Sequence, residues 1–369
     1  MSAINNMNKK VLIIINNLGI GGAERMVVDD INEMLRTGVD VSLITLTPEP
    51  IKSFVTGLHL KQDRFQCISF KHFFDIFSWF KLVLSIRVLK PDLVVTHLWF
   101  ANTIGRITSK IAGVRNVIAF EQNVYDTVKT RKMFFVDWCL QFLSTKIIAV
   151  SKAVKKSLVR HSIREARIDV IYNSVDLSIF KTTSISSQIR KEYDIPANAF
   201  LFLYIGRLIH QKAVDILIKA FKEVDTKAYL LIVGQGEDRG ILEQEVKRNG
   251  LEKRVIFAGV RNDIPGLFLS SDCFVLPSRY EGLPLVLIEA LAAGIAIIVS
   301  DFEAAQEVIT HKENGLIVPR EDVEALAQAM IQISEDNTLR ENLAMEAKKS
   351  AKRFSIINHA HAIMCYVNV

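Results

Sequence analysis

The 369-residue sequence predicts an α/β fold: two Rossmann-like, doubly wound domains in series, facing each other across a cleft. Three observations carry that expectation. The length exceeds what one compact core usually serves and suits two domains. Short apolar runs alternate with helical patterns, as they do in a parallel sheet covered by helices. The rhythm breaks once, over 176–200, and then restarts.

In the first half, 11–15, 41–46, 93–96, 117–120, 147–150 and 169–172 read as strands, and segments such as 23–36 and 102–112 as the helices between them. The break contains Thr182-Thr183-Ser184 and Ser186-Ser187, loop-forming residues that mark a linker. Strands resume at 200–205, 228–233, 255–258, 273–276 and 295–299. A long helical run from Val323 outlasts the second sheet, and its end is expected to return to the first domain. The expected boundaries are 1–178, 179–350 and a terminal helix over 351–369.

Composition excludes several classes. Apolar residues make up 50% of the chain, which places it among ordinary globular proteins. Cys67, Cys139, Cys273 and Cys365 are scattered without a CxxC pair, so buried reduced thiols of a cytoplasmic protein are expected. No secretory signal is evident. The longest apolar stretch, 283–299, is interrupted by Glu289 and Gly294 and reads as a buried helix and strand, not a span.

Charge is uneven: residues 1–180 hold 24 Lys/Arg against 15 Asp/Glu, and residues 181–369 hold 22 against 25. The first part also holds all three Trp and 13 of the 21 Phe. A basic, aromatic half suits an anionic membrane surface or anionic lipid. Nucleic acid is not expected, because no helix-turn-helix, zinc-finger or RRM signature accompanies the charge. Two stretches concentrate this character. Phe73, Phe74, Phe77, Trp79 and Phe80 stand among Lys71, Lys81, Arg87 and Lys90, and 129–146 includes Met133-Phe134-Phe135 and Trp138.

The motif richest in chemistry is Glu281-Gly282-Leu283-Pro284-Leu285-Val286-Leu287-Ile288-Glu289. Pro284 suits the first position of a helix, where its missing N–H costs nothing. Glu281 then lies on the entering loop and Glu289 on the second turn, about 80° apart if one continuous helix held both. The helix start offers free N–H groups to an anion. A carboxylate on either side of an anion site fits a ligand with a diphosphate in the middle and hydroxyl-rich ends, the shape of a nucleotide sugar.

Other strand ends fit the same ligand. Gly206-Arg207 closes the first strand of the second domain, and Lys212 follows. An Arg fork and a Lys point charge suit a leaving diphosphate. Gly234-Gln235-Gly236 ends the next strand, either as a close approach to the ligand or as a turn. In the first domain Gly21 and Gly22 open a helix after the first strand. The second strand does not end in the acidic residue of a dinucleotide fingerprint, so NAD is disfavoured. His97, just past its strand, is a candidate sugar contact, and Glu121-Gln122-Asn123 a candidate acceptor contact. Asp301-Phe302-Glu303 has the form of an acid-x-acid metal motif, but it lies on the last strand of the second domain, and no metal is expected.

These residues together resemble the retaining glycosyltransferase family 4, of GT-B architecture, over essentially the whole chain. The E-x7-E pair Glu281 and Glu289 is the most specific element. Gly206-Arg207 with Lys212, Gly234-x-Gly236, Asn314-Gly315-Leu316 with Val318-Pro319, and the early Gly-Gly-Ala-Glu-Arg reinforce it. The resemblance implies that 1–178 binds acceptor and 179–350 binds a nucleotide diphosphate sugar, a UDP-sugar foremost, as substrate rather than cofactor. It places Arg207 and Lys212 on the diphosphate and Glu281 on donor-sugar hydroxyls, assisted by backbone around Gly282 and Leu283. Glu289 falls on the ribose, Gly21 and Gly22 on the phosphates, and His97 on the sugar. It further implies retained configuration and no metal. The missing membrane span, the basic aromatic first half and the compact length together suggest a peripheral enzyme at the inner face of the membrane, acting on a lipid-linked or cell-envelope glycan.

The chain departs from the family pattern at Ala213, at Glu303-Ala304-Ala305 and at Gln122. Two other readings of the fold are a UDP-sugar 2-epimerase and an inactive glycan-binding scaffold.

Overall fold

The computed structural model describes residues 9–124, 129–182 and 187–368. Thr183, Ser184 and Ser186 of the expected linker, and the polar amino terminus, lie outside the described residues. The chain divides into two compact units, Met1–Asp176 with Phe354–Val369, and Leu177–Arg353.

The first unit holds a seven-stranded sheet of order β3-β2-β1-β4-β5-β6-β7. Its strands are β1 (Lys10–Ile15), β2 (Asp40–Thr45), β3 (Phe65–Cys67), β4 (Leu93–His97), β5 (Asn116–Glu121), β6 (Lys146–Ala149) and β7 (Ile168–Val170). Every pairing is parallel. The helices between them are α1 (Gly22–Arg36), α2 (Ile76–Leu89), α3 (Trp99–Ile111), α4 (Arg131–Leu140) and α5 (Lys152–Arg160).

The second unit holds a six-stranded sheet of order β10-β9-β8-β11-β12-β13. These are β8 (Leu201–Ile205), β9 (Tyr229–Val233), β10 (Val255–Gly259), β11 (Cys273–Leu276), β12 (Ala296–Ser300) and β13 (Leu316–Val318). Its pairings are parallel too. Its helices are α6 (Ile179–Thr182), α7 (Ser187–Glu192), α8 (Val214–Phe221), α9 (Arg239–Arg248), α10 (Ile264–Leu269), α11 (Leu285–Ala293), α12 (Val323–Glu335) and α13 (Asn337–Ser350). Then α14 (Ile356–Met364) packs on α1, in the first unit.

The strand sequences explain the sheets. Val-Leu-Ile-Ile-Ile in β1 and Leu-Phe-Leu-Tyr in β8 are apolar at every position because helices cover both faces of a parallel sheet. In the first unit Leu12, Ile14, Ile44, Val94 and Val117 form one core with Leu82 and Ile86 of α2 and Ile104 of α3. Fully burying a side chain of this kind contributes about 1.5–3 kcal/mol, so this continuous core, not any single contact, sets the unit's stability.

Several sequence expectations are corrected. The three-residue strands β3 and β13 were not expected, being too short to show a pattern. The expected linker contains α6 and α7. The helix expected over 102–112 begins at Trp99. Of the four cysteines only Cys273 is buried; Cys67, Cys139 and Cys365 are exposed free thiols. The stretch 283–299, by contrast, is α11 followed by β12 as expected, and among the described residues no helix is long and apolar enough to cross a membrane.

Candidate active site

Strand order decides where the site residues meet. In an open parallel sheet, ligands bind beyond the carboxyl ends of the two strands where the order reverses. In the second unit those are β8 and β11. Gly206, Arg207 and Lys212 follow β8, Glu281 and Glu289 follow β11, and Gly234 and Gly236 follow β9, which pairs with β8. Residues up to 83 positions apart are thus delivered to one edge of one sheet.

At that edge Lys212 and Glu281 form a buried ion pair. The Ser278 hydroxyl donates to Glu281 Oε1 at 2.8 Å, and Gln211 Nε2 donates to its Oε2 at 3.4 Å and to the Tyr280 carbonyl at 2.8 Å. Glu281 is therefore held from three sides before any ligand arrives. Arg279 binds the β8 and β11 loops together: its backbone N–H donates to the Gln211 carbonyl, and its guanidinium to the His210 carbonyl, Asp215 and Glu321. Sequence reasoning missed Gln211, Ser278 and Arg279. Only their nearness to Lys212 and Glu281 in the chain hinted at them.

Pro284 is the N-cap of α11, one residue earlier than expected, and no side chain caps that helix. Glu289 stands half-buried in its second turn. Arg207 is exposed, and its carbonyl accepts the Tyr204 hydroxyl at 3.0 Å. Burial, then the Glu281 carboxylate, push the Tyr204 phenol well above 10.

The glycine pair after β9 has a structural reason. Gly234 has φ +137°, and a Cβ there would lie 1.9 Å from the Gly206 carbonyl oxygen. One on Gly236 would lie 2.1 Å from the Leu208 carbonyl oxygen. The two loops touch through backbone, which only glycine allows.

In the first unit the order reverses between β1 and β4, so the Gly21-Gly22 turn and His97 sit at the corresponding edge. Gly21 is the N-cap of α1, and a Cβ there would meet the Glu24 carboxylate at 2.2 Å, so Glu24 lies over that turn. His97 is the last residue of β4 rather than a loop residue, and it is only 1% exposed. Its ring stacks on Phe120 at 4.7 Å, and neither ring nitrogen has a hydrogen-bond partner. Next to it Leu98 takes φ +71°, a conformation rare without glycine.

Burial, then the nearby His359, lower the His97 pKa to about 3. His359 is shifted upward: burial opposes its charge, but the Asp30 carboxylate and the Tyr172 carbonyl outweigh it. The consequence for stability follows from linkage. Below about pH 6.5 the unfolded chain binds a proton that folded His97 refuses, so stability falls as pH drops toward 3. The slope from this one group is about 1.4 kcal/mol per pH unit. His97→Gln will flatten the loss between pH 6 and 4 by about one proton, read from urea unfolding at both pH values. An unchanged slope would mean that the imidazole is hydrated and titrates normally.

Asp301 is engaged by Arg320, whose backbone N–H and Nε each donate to Oδ1 at 3.0 Å. Among the described residues no group of three or more acidic, His or Cys side chains is placed to hold a metal.

Comparison with known proteins agrees with this fold. Residues 20–179 match the Glycosyltransferase Family 4 model and residues 186–350 the model for glycosyl transferases group 1. The chain is 28% identical over 306 residues to the Escherichia coli UDP-Gal:alpha-D-GlcNAc-diphosphoundecaprenol alpha-1,3-galactosyltransferase, covering 78% of each. It is 27% identical to the lipopolysaccharide core biosynthesis glycosyltransferase LpsD of Rhizobium meliloti, covering 91% of each. Among solved structures, Anabaena HepE in complex with UDP-glucose superposes with a TM-score of 0.86 at 25% identity, over 97% of this chain and 99% of that one. The chain belongs to glycosyltransferase family 4 and is a glycosyltransferase of the GT-B fold.

Proposed function

We propose that this enzyme transfers a sugar from a UDP-sugar to a hydroxyl of a lipid-linked or cell-envelope glycan, with retention of anomeric configuration and without a metal. The observation that carries the reading is the Lys212–Glu281 pair, fixed by Ser278 and Gln211 beside the uncapped start of α11. A fixed carboxylate orients sugar hydroxyls, and the helix start with Arg207 and Lys212 receives negative charge developing on the departing diphosphate. The transition state has oxocarbenium character. In front-face attack the leaving phosphate oxygen takes the proton of the acceptor hydroxyl as the new glycosidic bond forms. No protein nucleophile is then needed. The UDP preference and the glycan acceptor draw on the relatives, among them the E. coli galactosyltransferase and the UDP-glucose complex of HepE.

The test is a panel of UDP-, GDP- and ADP-sugars offered with membrane lipid extract, with and without EDTA, the product anomer read by NMR. The expected result is EDTA-insensitive turnover of a UDP-sugar to a product of the donor's own anomeric configuration. An inverted product or a metal requirement would refute the mechanism, and a C2-epimerised nucleotide sugar without transfer would favour the epimerase.

Peripheral membrane association belongs to the same proposal. Ile76, Phe80, Leu84 and Val88 recur at four-residue steps along α2, with Phe77 beside Ile76, and all five are exposed, Phe77 to 89% and Val88 to 80%. Lys81, Arg87 and Lys90 flank them. Apolar anchors within a basic rim suit an anionic bilayer surface. Flotation with phosphatidylglycerol vesicles is expected to carry the protein at low salt and release it at high salt; Phe77→Ser/Phe80→Ser is expected to weaken flotation. Flotation that ignores both the salt and the substitution would remove this part of the proposal.

A further inference from the structure

The turn that carries Lys212 is strained. His210–Lys212 form one 3-10 turn after β8, and Ala213, which leads from it into α8, takes φ 50° and ψ 39°. That is the left-handed region, which a Cβ disfavours. Ala213 is fully buried, so protein groups rather than water must hold its backbone. A conformation of this kind persists only where the surroundings over-determine it.

Arg279 supplies that constraint. The Ala213 N–H closes the turn on the His210 carbonyl at 3.2 Å, and Arg279 Nη1 donates to the same carbonyl. The Arg279 backbone N–H donates to the Gln211 carbonyl at 2.8 Å, and Gln211 Nε2 returns to the Tyr280 carbonyl at 2.8 Å. Past the turn, the guanidinium meets both Asp215 oxygens at 3.3 Å, in the first turn of α8. One side chain thus spans 210 to 215, with Lys212 and Ala213 between its contacts. Its Nε reaches Glu321, after β13, at 2.9 Å.

Exposure ranks these contacts. The Arg279 side chain is 12% exposed, but those of Asp215 and Glu321 are 39% and 61% exposed. Ion pairs so open to water contribute little, so the hold rests on the carbonyl contact made by a nearly buried guanidinium. Glu281, the partner of Lys212, stands two residues beyond Arg279 in the same loop.

We infer that Arg279 is a positioning residue for sugar transfer: its guanidinium holds the turn at Ala213 in the left-handed form and so keeps the Lys212 ammonium on Glu281. A lysine would bring a point charge without the fork that serves a carbonyl and a carboxylate together. The inference rests on the reading of Lys212 and Glu281 as donor residues, and adds a residue that acts through them.

The experiment is amine labelling of the full-length protein with a limiting dose of N-hydroxysuccinimidyl acetate. Each lysine is read by peptide mass spectrometry, with exposed Lys219 of α8 as the internal reference. Buried Lys212 is expected to label slowly in wild type. In Arg279→Met the left-handed penalty is unopposed, and Lys212 labelling relative to Lys219 is expected to rise about tenfold. Adding Ala213→Gly is expected to reverse most of that rise, because glycine adopts this conformation freely. Glu321→Gln is expected to leave Lys212 protected. Turnover of a UDP-sugar should follow the labelling, with kcat/KM lower by at least about tenfold in Arg279→Met and recovering with Ala213→Gly. Thermal melts show which variants are folded. If Arg279→Met does not fold, Arg279→Lys replaces it, keeping the charge without the fork, and is likewise expected to expose Lys212.

Lys212 as protected in the folded Arg279 variant as in wild type overturns the inference. So does labelling that stays high after Ala213→Gly, or that rises as far in Glu321→Gln, since the exposed ion pair would then be the hold. Turnover separates this inference from the reading beneath it. A wild type that turns over no nucleotide sugar removes the donor-site reading, while the labelling still decides whether Arg279 holds the turn. Exposed Lys212 with wild-type turnover removes Lys212 from the reaction, and the positioning role with it.

Discussion

Glu281→Ala is expected to do two separable kinds of damage. Removing the carboxylate strands the Lys212 ammonium, whose side chain is only 10% exposed. Breaking a buried pair from one side costs about 3–5 kcal/mol, because the remaining charge is neither hydrated nor matched. For a unit of this size that is a fall of roughly 10 °C in its melting transition. Sugar transfer should fall further than stability explains, by about a hundredfold or more, the scale for losing a preorganised polar group at the reacting centre.

Glu281→Gln separates the two. Its carbonyl oxygen still accepts from Lys212 or Ser278, so much of the stability should return, while turnover should stay low if, as proposed, the carboxylate charge orients donor hydroxyls. The double variant Glu281→Gln/Lys212→Met leaves no buried charge of the pair behind and should melt closer to wild type than Glu281→Ala does, a non-additive result expected of groups in contact. Wild-type turnover by Glu281→Ala would remove Glu281 from the site. A wild-type melt would mean that Lys212 finds water as soon as its partner leaves.

That pair also shows how far the sequence could be read. The spacing of Glu281 and Glu289, and Arg207 and Lys212 at a strand end, were enough to single out a candidate nucleotide-sugar site. Strand order then explains the convergence, since β8 and β11 are the neighbours between which the sheet reverses. What the sequence could not give is that Lys212 and Glu281 face each other. Pairing across 69 positions leaves no local pattern, and the same is true of Gln211 and Ser278 as holders of Glu281. His97 shows the opposite limit. Its place at a strand end suggested an accessible loop contact, yet one further residue of strand buries it against Phe120. Strand ends are uncertain by a residue or two, and here one residue separates a solvated imidazole from a desolvated one. The glycines after β9 were legible as a turn, but their clash partners, Gly206 and Leu208, belong to another strand's loop.

A second large effect is expected in the first unit, at a cluster with no sequence signature at all. Arg106 of α3 donates to Asp137 of α4 at 2.9 Å, and Lys129 donates to Asp137 at 2.8 Å and to Glu121 of β5 at 2.9 Å. Asn102 extends the chain, donating to Glu121 at 3.2 Å and to the Phe120 carbonyl at 2.9 Å. Two cations and two anions balance, and every one of the four ionic side chains is at most 4% exposed.

Asp137→Ala leaves two buried cations sharing one carboxylate. The cost should again be about 3–5 kcal/mol, seen as a drop in the first unit's melting transition of roughly 10 °C. The whole cluster need not be worth that much. Buried ion networks often stabilise no more than apolar residues of equal volume would, and what this one supplies is the seating of α4 against α3 and β5. Asp137→Leu/Lys129→Met is therefore the informative variant. With one cation and one anion removed together, the remaining Arg106 and Glu121 stay balanced in charge, and the melt should recover by more than half of the Asp137→Ala loss. If the double variant melts as low as Asp137→Ala, the loss comes from geometry, with Arg106 needing a carboxylate at that position, and charge balance is the wrong account. If Asp137→Ala itself melts like wild type, the cluster is open to water and does not fix α4 in place.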